Sequence, residues 1–217
     1  MAEMAEKTWE AAAPFILAAL KEHDDYSLVI TGHSLGAGVA CLLNIMCNQR
    51  FRERILGRKV KCFAYGCPPV FNAVELVPDA VASTTCYIHG NDGVPFLSLG
   101  HVRRLVSTLQ WIDQESLKPF QKAKLLIGKK SRDKKMINAA LQGTDIIPKR
   151  GSPILSVPAS VVVWTRENEW GRFDYKVCDP RQVSMLGIQI SAGFMGDHAL
   201  ASYEEALHYL WNQVKRE

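Results

Sequence analysis

Ser34 stands between two glycines in the run Gly32-His33-Ser34-Leu35-Gly36. A serine hydroxyl can attack a carbonyl carbon when a neighbouring base removes its proton. The residues before this run are apolar and β-branched, which predicts a buried strand, and the small apolar residues after it predict a buried helix. A strand, a tight turn and a helix form the context of a nucleophile elbow, in which the turn lifts the serine hydroxyl clear of the sheet. The sequence therefore predicts acyl transfer at Ser34.

The two glycines and the following helix also have expected roles. We expect that a side chain at Gly32 or at Gly36 would collide with the neighbouring strand or helix, so that the turn requires both glycines. The amino terminus of the helix lies beneath Ser34, where its N–H groups and its positive dipole end favour a developing negative charge. The backbone N–H of Leu35 is therefore the predicted oxyanion donor.

A base for Ser34 must come from one of six histidines, because histidine accepts protons near neutral pH. His198 follows the last predicted strand and directly precedes the terminal helix, which is where a Ser…Asp…His chain order places the base. A surface or capping role is the alternative for His198. The other histidines are less suitable because of their predicted positions in the turn, in a strand, in helices or before the first strand: His33, His89, His101, His208 and His23.

The orienting carboxylate is assigned to Asp92, which follows a predicted strand in the run Asn91-Asp92-Gly93. Reactive groups in open α/β sheets lie at the carboxyl ends of strands, and both Ser34 and Asp92 follow such ends. Aspartate is also common in turns, so a purely structural role is the alternative for Asp92. Asp197 is the other candidate, but a residue adjacent to His198 in the chain cannot easily reach the same imidazole.

The elements that must position these residues follow from hydrophobic periodicity. Strands and helices alternate along the first half of the chain, which predicts right-handed βαβ units and a mostly parallel sheet of an α/β fold. The predicted helices span residues 4–22, 35–48 and 200–215, and the predicted strands span residues 26–31, 60–66, 84–89, 159–165, 173–177 and 183–190, of which the fourth and fifth form a hairpin.

The amino-acid composition argues against several classes of protein. The 217 residues carry a formal net charge of +4, which is too mild to indicate nucleic-acid binding. The six cysteines form no C-x-x-C pair and no zinc-site spacing, so we expect neither a metal nor a cofactor. No signal peptide or membrane-spanning run is apparent. The expected location is therefore cytoplasmic or peripheral to a membrane.

A basic segment at about residues 100–150 interrupts the α/β pattern. Between Lys118 and Lys135, basic residues alternate with apolar residues. Such a segment can lie on an anionic lipid surface, although a solvated insertion explains the same composition. Both interpretations remain open from the sequence alone.

Four motifs in order resemble the class 3 (fungal-type) lipase family. Residues 28–38 resemble its elbow, Phe63–Val70 its next strand and Gly-x-Pro turn, and Asn91–Pro95 its N-D-x-V-P run. Asp197–Tyr203 resembles its closing D-H-x-x-x-Y stretch, with one residue more between His198 and Tyr203. Ala37 replaces the second closing glycine of the elbow. The details of these motifs are most similar to the sn-1-specific diacylglycerol lipase branch.

The resemblance implies a serine carboxylester hydrolase of the α/β-hydrolase fold that acts through a triad of Ser34, Asp92 and His198. Its implied substrate is an acylglycerol, with diacylglycerol preferred, and a phospholipase A1 or galactolipase that takes a polar acyl lipid is a close variant. The resemblance also implies one domain over residues 1–217, truncated at its amino terminus and lacking its first strands, one of which supplies the second oxyanion donor in the family. Loss of one such donor costs about 10²–10³ in rate. A lipase-like module that binds partners without turnover is therefore the alternative function, and a Rossmann-like binding domain is disfavoured because no G-x-G-x-x-G run follows the first strand.

Overall fold

The computed structural model describes residues 1–114, 118–119, 155–185, 188 and 193–215. The helices of this part are α1 (Ala2–Glu22), α2 (Leu35–Gln49), α3 (Pro78–Ala82), α4 (Leu99–Gln114), α5 (Pro180–Met185) and α6 (Leu200–Val214). The strands are β1 (Leu28–His33), β2 (Val60–Tyr65), β3 (Thr84–His89), β4 (Val161–Glu167) and β5 (Phe173–Cys178). Short 3-10 helices span Val74–Leu76 and Val94–Phe96.

The five strands form one sheet in the order β1-β2-β3-β4-β5. Strands β1 to β4 are parallel to one another, and β5 pairs antiparallel with β4. The predicted parallel sheet and the predicted hairpin are both confirmed, and the fold class is α/β. Because parallel strands end at the same edge, the loops after β1, β2 and β3 meet there.

Helices cover the sheet from two sides. Helix α2 packs on the face that carries Cys62, Ala64 and Cys86, and its own small residues allow close contact. Helix α1 packs against α2 in a second cluster that contains Trp9 and Leu43. The side chains of alternate strand residues point to the opposite face, where α6 contacts β3, β4 and β5. The terminal helix therefore crosses the sheet beside the carboxyl ends of its strands.

The predicted short strand at residues 183–190 is wrong in its first part. Residues 180–185 form helix α5. The backbone N–H of Arg181 donates to Asp179 Oδ1 at 2.8 Å, and Pro180 occupies the first helical position. An aspartate cap followed by proline is a helix-start signal that outweighs the apolar residues further on.

The basic segment lies almost entirely outside the described residues. Its first part is helix α4, and of residues 115–154 only Lys118 and Pro119 are described. The expected lipid contact between Lys118 and Lys135 therefore stays a prediction. Among the described residues, no helix combines the length and the apolarity needed to cross a bilayer.

Candidate active site

Ser34 occupies the tight turn between β1 and α2. Its backbone has φ 57° and ψ −127°, a conformation that is rare for a residue with a side chain. The N–H of Ser34 donates to the carbonyl oxygen of Tyr65 at 2.9 Å, which ties the turn to the end of β2. Strained backbone that the surrounding structure holds in place is a common feature of functional sites. The sheet therefore fixes the direction in which Ser34 points.

The two glycines beside Ser34 differ in what they permit. A Cβ at Gly32 would lie 2.3 Å from the carbonyl oxygen of Gly36, so a side chain there is excluded by backbone. A Cβ at Gly36 would meet nothing within 4 Å. The expectation that both glycines are sterically required is therefore wrong for Gly36, since the missing side chain of that residue points away from the neighbouring elements.

His198 bridges Ser34 and Asp92. Its Nε2 lies 2.7 Å from Ser34 Oγ, and its Nδ1 lies 2.9 Å from Asp92 Oδ2. These two distances are within hydrogen-bond range, so the structure brings together the three residues predicted to be nucleophile, base and orienter. Asp197, the other candidate carboxylate, instead accepts the backbone N–H of Asn91 through Oδ2 at 2.6 Å.

Asp92 is completely buried, with 0% of its surface exposed, and every charge-bearing oxygen has a donor. Oδ1 accepts the backbone N–H of Val94 at 2.8 Å. Oδ2 accepts the Tyr203 hydroxyl at 2.5 Å in addition to His198. Such donors offset the cost of burying an ionised carboxylate. Burial and the Asp92 carboxylate raise the pKa of the Tyr203 hydroxyl, which therefore stays a donor.

Gly66 keeps the loop after β2 close to this pair. Its backbone has φ +56°, and a Cβ at this position would lie 2.8 Å from Asp92 Oδ2 and 3.0 Å from the His198 ring. Any side chain there would be strained and would displace the acid or the base. The glycine therefore lets the main chain approach the site closely.

Leu35 is the first residue of α2, and its backbone N–H has no acceptor within the described part of the chain. Such an unpaired N–H at a helix amino terminus is available to a negatively charged group. The Leu35 side chain is 50% exposed, so this end of the helix faces solvent. Its predicted role as an oxyanion donor stays a prediction.

Sequence reasoning missed the contribution of Tyr203 to Asp92 and that of His33 to His198. Tyr203 was visible as a residue of the closing motif, but its buried hydroxyl contact spans 111 positions of the chain. His33 Nε2 lies 2.9 Å from the carbonyl oxygen of His198, and the two rings stack. Among the described residues, no other histidine side chain is hydrogen-bonded to Ser34. His101 Nδ1, for example, is bonded to the carbonyl oxygen of Phe96.

His89 is buried behind the site and is expected to make stability depend on pH. Its Nδ1 lies 2.9 Å from Thr165 Oγ1. Burial lowers the pKa of His89 below its ordinary value of 6.5, and four carboxylates only partly oppose this effect: Asp197, Asp92, Glu167 and Glu205. The unfolded chain therefore binds a proton at His89 more readily than the folded chain does. The stability that the neutral ring contributes is fully present above about pH 6.5 and is lost as the pH falls below it.

This pH dependence can be isolated with His89→Asn, which keeps an amide donor near the Nδ1 position but does not titrate. We expect the free energy of unfolding, measured in urea, to fall more steeply in the wild type than in the variant between pH 7.5 and pH 5.5. Equal pH slopes for the two proteins would contradict the assignment, since all other titrating groups are shared.

The site and the fold together define a class of protein. A serine on a strained turn after a parallel strand, with Asp and His following in that chain order, is the arrangement of an α/β-hydrolase. The described residues contain no group of three or more His, Cys, Asp or Glu side chains placed to hold a metal ion.

The chain is similar in sequence to known lipases. Residues 1–101 match the family described as lipase (class 3), and the resemblance to class 3 lipases is thereby confirmed. The chain is 26% identical over 147 residues to diacylglycerol lipase-alpha of Homo sapiens, a match that covers 66% of this chain and 12% of that protein. The corresponding protein of Rattus norvegicus is 27% identical over 141 residues, covering 65% of this chain and 11% of that protein.

Solved structures of fungal lipases also match parts of the chain. The lipase of Rhizopus microsporus var. chinensis is 26% identical, with a TM-score of 0.40, over 44% of this chain and 33% of that one. The mono- and diacylglycerol lipase of Aspergillus oryzae is 29% identical, with a TM-score of 0.34, over 43% of this chain and 34% of that one.

Proposed function

We propose that this chain is a serine carboxylester hydrolase that cleaves acylglycerols, with diacylglycerol as its preferred substrate. The observation that carries the proposal is the hydrogen-bonded series from Ser34 Oγ through His198 to the buried Asp92 carboxylate. The family match and the similarity to diacylglycerol lipase-alpha support the choice of a lipid ester. The functional domain is proposed to extend over residues 1–217, with the basic segment as an insertion.

The proposed reaction has two stages. Ser34 Oγ attacks the ester carbonyl carbon while His198 Nε2 accepts the hydroxyl proton. The resulting oxyanion is held by the Leu35 N–H, and Asp92 stabilises the imidazolium that has formed. His198 then gives the proton to the leaving alcohol oxygen, and the carbon–oxygen bond of the ester breaks. Water, activated by His198, hydrolyses the acyl-serine and releases the fatty acid.

Exposed apolar residues next to the triad residues in the chain favour a lipid substrate over a small polar ester. Leu35 follows Ser34 directly, and Met195 and Leu200 lie on either side of His198 in the chain. Met195 is 67% exposed and Leu200 is 57% exposed. Exposed apolar side chains are a feature of surfaces that bind apolar ligands. Acyl chains are ligands of this kind.

The proposal can be tested with a fluorophosphonate probe and a set of lipid substrates. In the labelling reaction, Ser34 Oγ displaces fluoride from phosphorus, and we expect stoichiometric labelling of the wild-type chain. Ser34→Ala should show none, whereas Ser27→Ala, which removes an exposed serine just before β1, should label normally. Fatty-acid release should be faster from dioctanoylglycerol than from monooctanoylglycerol or dioctanoylphosphatidylcholine in mixed micelles.

The outcomes separate the alternatives. Labelling with equal release from all three lipids would support the esterase and contradict the preference for diacylglycerol. A folded wild-type chain that neither labels nor releases fatty acid would contradict the proposed function and favour a lipase-like module that binds partners without turnover.

A further inference from the structure

His33 lies against the ring and the main chain of His198. Its Nε2 is 2.9 Å from the carbonyl oxygen of His198. The two imidazole rings stack with their centroids 4.8 Å apart and their planes inclined by 30°. The Tyr203 ring also packs against His33 in a T-shaped contact, with the two ring centroids 5.7 Å apart. His33 therefore touches the base in two chemically different ways.

The hydrogen bond ties the base to the strand that carries the nucleophile. His33 is the last residue of β1 and directly precedes Ser34, whereas His198 lies 165 positions away on the loop before α6. A carbonyl oxygen only accepts hydrogen bonds, so His33 Nε2 must carry the proton. A displacement of about 1 Å in a catalytic group can cost roughly 10²-fold in rate. This bond therefore fixes the distance over which the Ser34 proton must move.

The stacked ring contributes electrostatically. When His198 accepts the Ser34 proton, a positive charge forms 4.8 Å from the centre of the His33 ring. A cation within about 6 Å of an aromatic face is attracted by the negative face of the ring. That attraction requires a neutral His33, because two adjacent imidazolium rings would repel each other. The contact therefore favours the charged form of the base over its neutral form.

We propose that His33 is a positioning residue for the catalytic base: its Nε2–H holds the main chain of His198, and its ring stabilises the His198 imidazolium. This inference rests on the proposed hydrolase function. The two contributions can be separated, because one needs a donor and the other needs a ring.

Three substitutions separate the two contributions. His33→Gln keeps an N–H donor at a similar reach and loses the ring, His33→Phe keeps a ring and loses the donor, and His33→Ala loses both. We expect kcat for dioctanoylglycerol to fall about tenfold in the first two and about 10²-fold in the third, with KM within about twofold of the wild type. His208→Gln, at an exposed position of α6, is the matched control and should change neither constant.

The pH dependence provides a readout that a merely structural role would not move. The acid limb of the kcat/KM profile should move to lower pH in His33→Gln, because the charged base loses the ring. It should stay in place in His33→Phe. Equal shifts in both variants, or a full kcat in His33→Ala with an unchanged profile, would overturn the proposal.

A substrate-free measurement keeps the inference distinct from the proposed function. Nitrogen-15 NMR of the histidine rings should detect the proton on Nε2 of His33. The ring nitrogen-15 shifts of His198 should change more in His33→Gln than in His33→Phe. If the chain hydrolyses no ester but these changes occur, the proposed function is contradicted and the interaction between His33 and His198 is supported. If the chain is active but these changes are absent, the positioning role fails.

Discussion

Ser34→Ala should lower kcat for ester hydrolysis by about 10⁶-fold, because the reaction loses its nucleophile. His198→Ala should cost about as much, since Ser34 Oγ donates to no other base within the described residues. The double variant should be no slower than either single variant, because residues that act as one unit are strongly non-additive. Steady-state release of octanoate from dioctanoylglycerol measures all three, with purified wild-type chain as the reference.

The unfolding temperature of each variant shows whether its loss of activity is caused by misfolding. Ser34→Ala should unfold near the wild-type temperature, whereas His198→Ala takes a donor from the buried Asp92 carboxylate and should unfold in one transition at a somewhat lower temperature. Additive losses in the double variant would show that Ser34 and His198 do not act on the same step. A Ser34→Ala variant that retains more than about one hundredth of the wild-type rate would place the nucleophile elsewhere.

Asp92→Asn should lower kcat by about 10⁴-fold, the loss seen when a triad carboxylate becomes an amide and the imidazole takes the wrong tautomer. The wild-type carboxylate accepts three donors, the Val94 N–H on Oδ1 and the Tyr203 hydroxyl and His198 Nδ1 on Oδ2. An asparagine can present only one oxygen. The Val94 N–H can only donate, whereas the Tyr203 hydroxyl and the neutral His198 ring can also accept, so the amide oxygen takes the Val94 side and the N–H₂ group faces His198. His198 Nδ1 then accepts a hydrogen bond, and its ring proton lies on Nε2, towards Ser34.

The matched control is Asp174→Asn, which makes the same change at an exposed position of β5. It should leave kcat within about twofold of the wild type, as is usual for surface substitutions away from the site. Asp92→Asn should also lower the free energy of unfolding by about 1–3 kcal/mol, because a buried donor loses its acceptor. Loss of stability without loss of kcat would contradict the orienting role of Asp92.

Much of the fold could be predicted because its signals are local. Alternating burial along β2 and the apolar runs of β1 and β3 are properties of a few consecutive residues, so the strands and the parallel order followed from periodicity. Helix α5 could have been predicted in the same way. The Asp179-Pro180 pair starts that helix, but the prediction gave more weight to the apolar residues after it.

The steric roles of the two elbow glycines could not be separated from the sequence. Gly32 and Gly36 are related symmetrically to Ser34 in the motif. Only the folded turn shows that the carbonyl oxygen of Gly36 lies where a side chain of Gly32 would be, whereas the space beside Gly36 is open. A sequence motif records which residue types are present, but a steric requirement depends on what packs against each one.

The sequence by itself determined the types of residue that could do chemistry and the strand ends on which they lie, because covalent order and short-range sterics fix both. Only the tertiary structure decided which groups meet. Tyr203 reaches Asp92 across 111 positions, and His33 reaches His198 across 165. Both contacts depend on the position of α6, which lies across the sheet beside the carboxyl ends of the parallel strands. That packing results from the burial of side chains far apart in the chain, and no local sequence pattern encodes it.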